Sequence, residues 1–144
     1  MVDDPFRLER FVEAQETVYD QVTSELAAGR KRTHWMWYIF PQLAGLSFSS
    51  MATHFGITSL LEAEAYLAHP VLGRRLYEST RLAIEAPAPS LKHLLGSPDD
   101  LKFRSSMTLF EVAANSREFI FHEALDKWCS GEADQRTLKI LASK

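Results

Sequence analysis

The sequence predicts an all-α fold: a compact multihelical single domain with six to eight helices and no significant sheet. Apolar residues recur at spacings of three and four in several segments, which is the periodicity of amphipathic helices. Proline, glycine and helix-capping residues separate these segments, and no two of them read as a β-hairpin. The chain has 144 residues, 46% of them hydrophobic. This is enough for one core, so we expect residues 1–144 to form one domain.

The first helix is expected over about residues 5–28. Its apolar stripe runs from Leu8 to Leu26, with acidic residues and arginine between the apolar positions. The Asp4 side chain can cap the start of this helix because it accepts hydrogen bonds from free backbone N–H groups. Gly29 is typical of a helix end, since glycine adopts the left-handed conformation that closes many helices.

The stretch from Gly29 to Gln42 mixes charged and aromatic side chains more densely than any other part of the chain. It reads Gly-Arg-Lys-Arg-Thr-His-Trp-Met-Trp-Tyr-Ile-Phe-Pro-Gln. It shows neither strand alternation nor a regular helical stripe. We expect a short helix or 3₁₀ turn at about residues 35–40, which Pro41 ends.

A loop of small residues spans positions 43–50, and its serine hydroxyls can cap a short helix over residues 51–55. The next helix start is Ser59-Leu-Leu-Glu62, which has the pattern of a capping box. In that motif the hydroxyl accepts the N–H of the fourth residue, whose carboxylate accepts the N–H of the first. We expect this helix to end near Ala68.

His69-Pro70 starts a further helix, which is expected to run to about Ala86 before Pro87-Ala-Pro89 breaks it.

The last third of the chain contains four more helix signals. Ser90 opens a short helix that ends at Gly96, and Ser97-Pro98-Asp99-Asp100 combines a cap, a proline and first-turn acids. Asn115-Ser-Arg-Glu118 has the pattern of a second capping box, opening a helix that ends near Gly131. The pattern of residues 134–142 predicts a last short helix.

The basic and aromatic run is the first candidate site. Lys31, Arg32 and His34 lie beside Trp35 and Trp37. Cations bind phosphate groups and aromatic faces stack on flat rings, so this pattern suits a ligand that carries both. The alternative is an exposed basic turn followed by tryptophans that pack in the core.

His69 with Arg74 and Arg75 is the second candidate site. If Pro70 opens a helix, His69 lies at its N-cap, where free backbone N–H groups favour an anion. Arg74 then lies little more than one turn further on. The alternative is that the imidazole only caps the helix while both arginines are solvated.

The third candidate site is Lys102-Phe-Arg-Ser-Ser-Met-Thr108. On a helix, Lys102, Ser105 and Ser106 lie within reach of one another. A lysine beside a serine occurs in Ser–Lys nucleophile pairs. The alternative is that these hydroxyls bond to the carbonyl four residues back and only support helix packing.

Composition and motif content exclude several classes of protein. The formal net charge of -3 argues against non-specific nucleic-acid binding. Cys129 is the only cysteine, so no internal disulfide forms, and a cytoplasmic location is expected. The chain has no apolar run long enough to span a membrane.

Metal and cofactor signatures are also missing from the sequence. The five histidines lie at positions 34, 54, 69, 93 and 122, without a metal-binding spacing. Neither a Walker loop, nor a dinucleotide fingerprint, nor a Gly-x-Ser-x-Gly elbow is present. We therefore expect no metal and no cofactor, and the sequence identifies no protein partner.

Four motifs, in this order, resemble a bacterial family called domain of unknown function 1810. They are Asp4-Pro5-Phe6 with Arg10-Phe11-Val12 and Ala14-Gln15, the stretch from Gly29 to Gln42, the stretch from Glu62 to Leu76, and the stretch from Lys102 to Phe110. The resemblance covers nearly the full chain and implies a single-domain, multihelical fold, but no catalytic role. The family's loop after Pro-Gln usually reads Gly-Leu-Gly, whereas here it reads Gly45-Leu46-Ser47.

The resemblance also implies that the polar residues singled out above belong to the family's motifs. We therefore expect the three polar segments to converge on one pocket, with Lys31 and His34 facing Arg74 or Lys102 across a cleft. The candidate ligand-binding residues are Lys31, His34, Trp35, Trp37, Gln42, His69, Arg74, Lys102, Ser105 and Ser106.

The expected ligand is a phosphate-bearing small molecule or a nucleotide-like metabolite, which the protein either binds or turns over. His34 and His69 are the candidate general acid–base groups. The alternative function is a non-enzymatic protein-interaction module that uses a Trp-rich surface.

Overall fold

The computed structural model describes residues 3–143. Every regular element in that range is helical, apart from one isolated bridge between Leu43 and Ile57. The helices are α1 Glu9–Glu16, α2 Tyr19–Ala28, α3 Met36–Ile39, α4 Ser50–Phe55, α5 Leu60–Ala68, α6 Leu72–Glu85, α7 Leu91–Leu95, α8 Asp99–Ala114, α9 Ile120–Cys129 and α10 Gln135–Ala142. Met1, Val2 and Lys144, which the expected domain of residues 1–144 includes, lie outside the described residues.

The all-α prediction is confirmed, but the expected six to eight helices are too few, since residues 3–143 contain ten. One reason is that the short segments expected near residues 35–40, 51–55 and 90–96 all form separate helices, α3, α4 and α7, and so add to the count. Another is that the helix expected over residues 5–28 is two helices, with the break at Thr17 and Val18. The break lets α1 pack on α3 while α2 packs on α6.

Most of the predicted helix caps are present. The side chains of Ser49, Ser59 and Ser90 each accept a hydrogen bond from a backbone N–H in the first turn of α4, α5 and α7. Asp134 caps α10 in the same way, which was not predicted. Asp4 also caps, accepting from the N–H groups of Leu8 and Glu9 at 2.7 and 3.0 Å, so α1 begins later than expected.

Three details of the predicted caps are wrong. Ser97 does not cap α8, because the N-cap position is Pro98, which forms no side-chain capping hydrogen bond. The Glu62 carboxylate accepts from the backbone N–H and hydroxyl of Thr58 through one oxygen and from Arg10 through the other, and not from the Ser59 N–H. Asn115 does not open α9: it ends α8 in the left-handed conformation, with φ 48°. The α9 helix begins only at Ile120.

The core is organised around α8, which packs against α5, α7, α9 and α10. Its buried aromatic side chains contact rings from other helices: Phe103 lies against Phe40 at 5.0 Å between ring centroids, and Phe110 against Tyr66 at 5.3 Å. None of the helices within residues 3–143 combines the length and apolar character that a membrane crossing requires.

Candidate functional site

The turn that leads into Trp35 is held by a buried carboxylate. Glu25 is 3% exposed, and its side chain accepts hydrogen bonds from the backbone N–H groups of Arg32 and Thr33, at 2.8 and 3.1 Å. It also accepts from the Thr33 hydroxyl, the Trp35 indole N–H and the Gln21 amide. Burial raises the pKa of Glu25, but these hydrogen bonds outweigh it and lower the pKa to about 2.

Glu25 was not among the candidate residues, although the sequence carries a signal for it. It lies between Val22 and Leu26, two apolar positions of the helical stripe, so a carboxylate stands where the pattern predicts an apolar side chain. A buried carboxylate requires partners. Here the partners are backbone and side-chain donors of the basic turn, and those N–H groups are therefore already occupied.

Two of the three polar segments meet at Asp99, in the first turn of α8. The Lys31 ammonium lies 3.1 Å from Asp99 Oδ2, and the Lys102 ammonium lies 3.9 Å from Oδ1. The Lys31 side chain is only 7% exposed. Each lysine also lies near an indole ring, Lys31 at 5.1 Å from Trp35 and Lys102 at 5.6 Å from Trp37. The cluster carries two positive charges and one negative charge.

A small cavity adjoins this cluster. It is lined by Met36, Trp37, Phe40, Gln42, Ala52, Phe55, Gly56 and Lys102. Its volume is about 10 Å³, which is about the space that one water molecule requires. The indole nitrogen of Trp37 is buried and has no hydrogen-bond partner among residues 3–143. A buried N–H donor without a partner is costly, and the side chain that carries it lines the same cavity as Lys102.

Of the other candidate residues in the first segment, Gln42 lines the cavity, whereas Trp35 and His34 do not. Trp35 is 1% exposed and belongs to the core. His34 is exposed, and its backbone carbonyl accepts a hydrogen bond from the Tyr38 hydroxyl at 3.3 Å. Gln42 contributes to the cavity wall, and its backbone carbonyl accepts from the N–H of Ile57 at 3.0 Å.

The second segment lies elsewhere. His69 Nδ1 accepts hydrogen bonds from the N–H groups of Val71 and Leu72, at 3.1 and 3.2 Å, so the imidazole caps α6. Arg74 is exposed and lines a separate cavity with Glu118, beyond the far end of α8. At about 1.5 Å per residue, α8 places its last residue roughly 18 Å from Lys102. The structure therefore brings Lys31 to Lys102, but not to Arg74.

The hydroxyls of the third segment connect α8 to α10. Ser105 Oγ lies 3.0 Å from Asp134 Oδ2 and 3.2 Å from the Leu101 carbonyl oxygen. The single hydroxyl hydrogen of Ser105 is shared between these two acceptors. Thr108 Oγ1 accepts from the Asp134 N–H at 2.8 Å. Ser106 is fully buried, and its hydroxyl has no hydrogen-bond partner in the described part of the chain. Because Lys102 is directed to Asp99 and Ser105 to Asp134, a Ser–Lys nucleophile pair is not formed.

The alternative function depends on an exposed tryptophan surface, and the three tryptophans do not provide one. Trp35 is buried, while Trp37 and Trp128 are half-buried. Trp128 donates its indole N–H to the Ala83 carbonyl at 2.8 Å. Within residues 3–143, no three His, Cys, Asp or Glu side chains lie together in a group that could hold a metal ion.

Comparison with other proteins gives two matches. A family model described as "Protein of unknown function (DUF1810)" matches residues 5–141. A conserved hypothetical protein from Mycobacterium tuberculosis, whose crystal structure extends to 1.38 Å, aligns at 51% sequence identity and a TM-score of 0.93. The alignment covers 96% of this chain and 99% of that one. No curated protein gives a significant match.

Proposed function

The chain belongs to the DUF1810 family, and because that description names no activity, we propose a function from the site itself: the cavity beside Trp37 and Lys102 binds the anionic group of a small molecule. A phosphate-bearing metabolite is the ligand that the charge and the aromatic surroundings favour. Neither of the candidate acid–base groups, His34 and His69, lines the cavity, so we propose binding and not turnover.

The unpartnered indole N–H of Trp37 is the observation that supports this proposal most strongly. Buried donors in folded proteins normally have a partner from the protein, an ordered water or a ligand. Among the residues that line this cavity, Lys102 adds a positive charge, and its ammonium lies 5.6 Å from the indole ring. An anionic oxygen between the indole N–H and the Lys102 ammonium would accept a hydrogen bond from the N–H group. It would also neutralise the net positive charge of the cluster formed by Lys31, Lys102 and Asp99.

The cavity volume limits which part of a ligand can enter. At about 10 Å³ it has space for one oxygen atom of an anionic group and not for a ring. A nucleotide-like ligand would therefore place one phosphate oxygen in the cavity and the rest of the molecule outside it. Lys31 would act indirectly, because its ammonium binds Asp99 and is itself nearly buried.

Thermal-shift titration with inorganic phosphate, nucleotides and phosphorylated metabolites tests the proposal. A ligand that binds the folded state raises the unfolding midpoint by mass action. We expect the shift in the wild type to be lost in Lys102→Gln and reduced in Trp37→Phe, which keeps a ring but removes the N–H donor. Lys92→Gln, at an exposed lysine on α7, is the matched control and should keep the full shift.

Two outcomes would contradict the proposal. One is that no anionic compound shifts the wild type. The other is that shifts persist unchanged in Lys102→Gln. The ligand-free proteins give a further check, because Trp37→Phe removes an unpartnered donor and should not lower the midpoint by much.

A further inference from the structure

An apolar projection stands out on the surface around α4. Phe48 is 83% exposed and Met51 is 37% exposed. They lie three residues apart, in the loop before α4 and in its first turn. Arg136, at the start of α10, reaches the same loop, where its guanidinium lies 3.4 Å from the Leu46 carbonyl. We call Leu46, Phe48, Met51 and Arg136 the loop patch.

The loop patch combines an exposed aromatic ring with an unpaired positive charge. Arg136 forms no ion pair with any carboxylate within residues 3–143. Neither Phe48 nor Met51 lines the cavity beside Trp37. Because these side chains project outward, they are suited to enter a cavity on another molecule, as aromatic anchors do in protein interfaces.

The chain itself carries a cavity of complementary character. It has a volume of about 410 Å³ and is lined by Asp3, Asp4, Pro5, Phe6, Leu8, Glu9, Ala65 and His69. A cavity of about 150 Å³ is sufficient for a benzene ring, so a phenylalanine side chain fits. The carboxylates of Asp3 and Glu9 form no ion pair within residues 3–143, while that of Asp4 caps α1. We call this the acidic cavity.

The loop patch and the acidic cavity are neighbours on the monomer, because Arg10 joins them. Its guanidinium donates to the carbonyl of Phe6, in the wall of the acidic cavity, at 2.6 Å. It also donates to the carbonyl of His54, on the helix that carries Met51, at 2.9 Å. Two neighbouring patches of opposite character make a self-complementary surface, which is what a two-fold dimer requires.

We propose that this surface is the interface of a homodimer, in which Phe48 of each copy enters the acidic cavity of the other. Arg136 of each copy then faces the carboxylates of Asp3 and Glu9 across the interface. The contact removes an exposed aromatic side chain from water and pairs charges that have no partner in the monomer. It involves neither Lys102 nor Trp37, so it is independent of the ligand site.

Sedimentation velocity of the full chain over a range of concentrations tests the dimer directly. We expect a monomer–dimer equilibrium that weakens as the salt concentration rises, because exposed charges contribute to it. Phe48→Ser should raise the dimer dissociation constant by about tenfold or more, as loss of an aromatic anchor does. Phe119→Ser, at an equally large exposed ring outside the patch (67% exposed), is the matched control and should leave it unchanged.

A charge exchange distinguishes this interface from other dimers. Arg136→Glu and Glu9→Lys should each weaken self-association. A mixture of the two variants should form a heterodimer, because both of its reciprocal contacts then pair opposite charges. The substituted residues Phe48, Arg136 and Glu9 are all exposed, and circular dichroism verifies that each variant is folded.

Three results would overturn the proposal. The first is a wild type that stays monomeric at every concentration at low salt. The second is a dimer that survives Phe48→Ser. The third is a mixture of Arg136→Glu and Glu9→Lys that associates no better than either variant alone.

Discussion

Glu25→Gln is the substitution that most directly tests how the basic turn before Trp35 is held. The substitution keeps the shape of the side chain but removes its charge and replaces one acceptor with an NH₂ donor. If the carbonyl oxygen of the glutamine keeps the Oε1 position, which accepts from Arg32, Thr33 and the Trp35 indole, the NH₂ group replaces Oε2. Oε2 accepts from the Thr33 hydroxyl and the Gln21 amide, so both of these groups must reorient. The variant therefore loses charge-assisted hydrogen bonds at a buried site.

The pKa of Glu25 sets the size of the effect. The pKa falls from 4.5 to about 2 on folding, and each unit corresponds to about 1.4 kcal/mol, so the charged form contributes roughly 3 kcal/mol to stability. The pKa is lower in the folded state, so this contribution is fully present above about pH 4.5 and is lost as the pH falls towards 2. We expect Glu25→Gln to lower the free energy of unfolding by about 2–4 kcal/mol at neutral pH.

Urea denaturation followed by circular dichroism measures both the size and the pH dependence. The difference between wild type and Glu25→Gln should be largest at neutral pH and shrink as the pH falls below 4.5. Glu16→Gln is the control: the Glu16 side chain is 64% exposed and its only ion pair within residues 3–143, to Arg75, is 3.4 Å long, so its effect should be small. A variant as stable as the wild type at neutral pH, or a difference that stays constant on acidification, would refute the reasoning.

Two other predictions concern buried polar groups. Ser105→Ala should lower the free energy of unfolding by about 1 kcal/mol because it breaks the bond to Asp134, whereas Ser106→Ala should be neutral or stabilising because the Ser106 hydroxyl has no partner. Equal losses in urea denaturation of the two variants would contradict this. Arg10→Gln and Glu62→Gln should each cost about 3–5 kcal/mol, since the pair lies 2.8 Å apart and is largely buried. The double variant should cost less than the sum of the two, and strict additivity would argue against direct coupling.

The candidate site was predictable in part. The sequence indicated that Lys31, Trp37, Gln42 and Lys102 belong to a site, and the structure places Trp37, Gln42 and Lys102 at one cavity with Lys31 nearby. The sequence did not indicate Asp99 as the residue that joins the two lysines, because acidic residues are ordinary in the first turn of a helix. Whether these residues bind a ligand stays a prediction.

Local features of the fold followed from the sequence alone. Capping by Ser49, Ser59 and Ser90 was predictable because each side chain bonds to an N–H group only three residues away. Helical periodicity is equally local, since it reports which side of a helix is apolar. The family motifs, read in order along the chain, also predicted a multihelical fold, and the match over residues 5–141 confirms the family.

The tertiary structure decided which polar side chains meet. The break at Thr17 depends on α1 and α2 packing against different helices, and the separation of Arg74 from Lys102 depends on the length and direction of α8. Glu25 lies on α2, outside the basic turn, yet it organises that turn through the backbone N–H groups of Arg32 and Thr33. The sequence determines which face of each helix is apolar, but contacts between distant segments form only when those faces pack, so their partners are fixed by the packing.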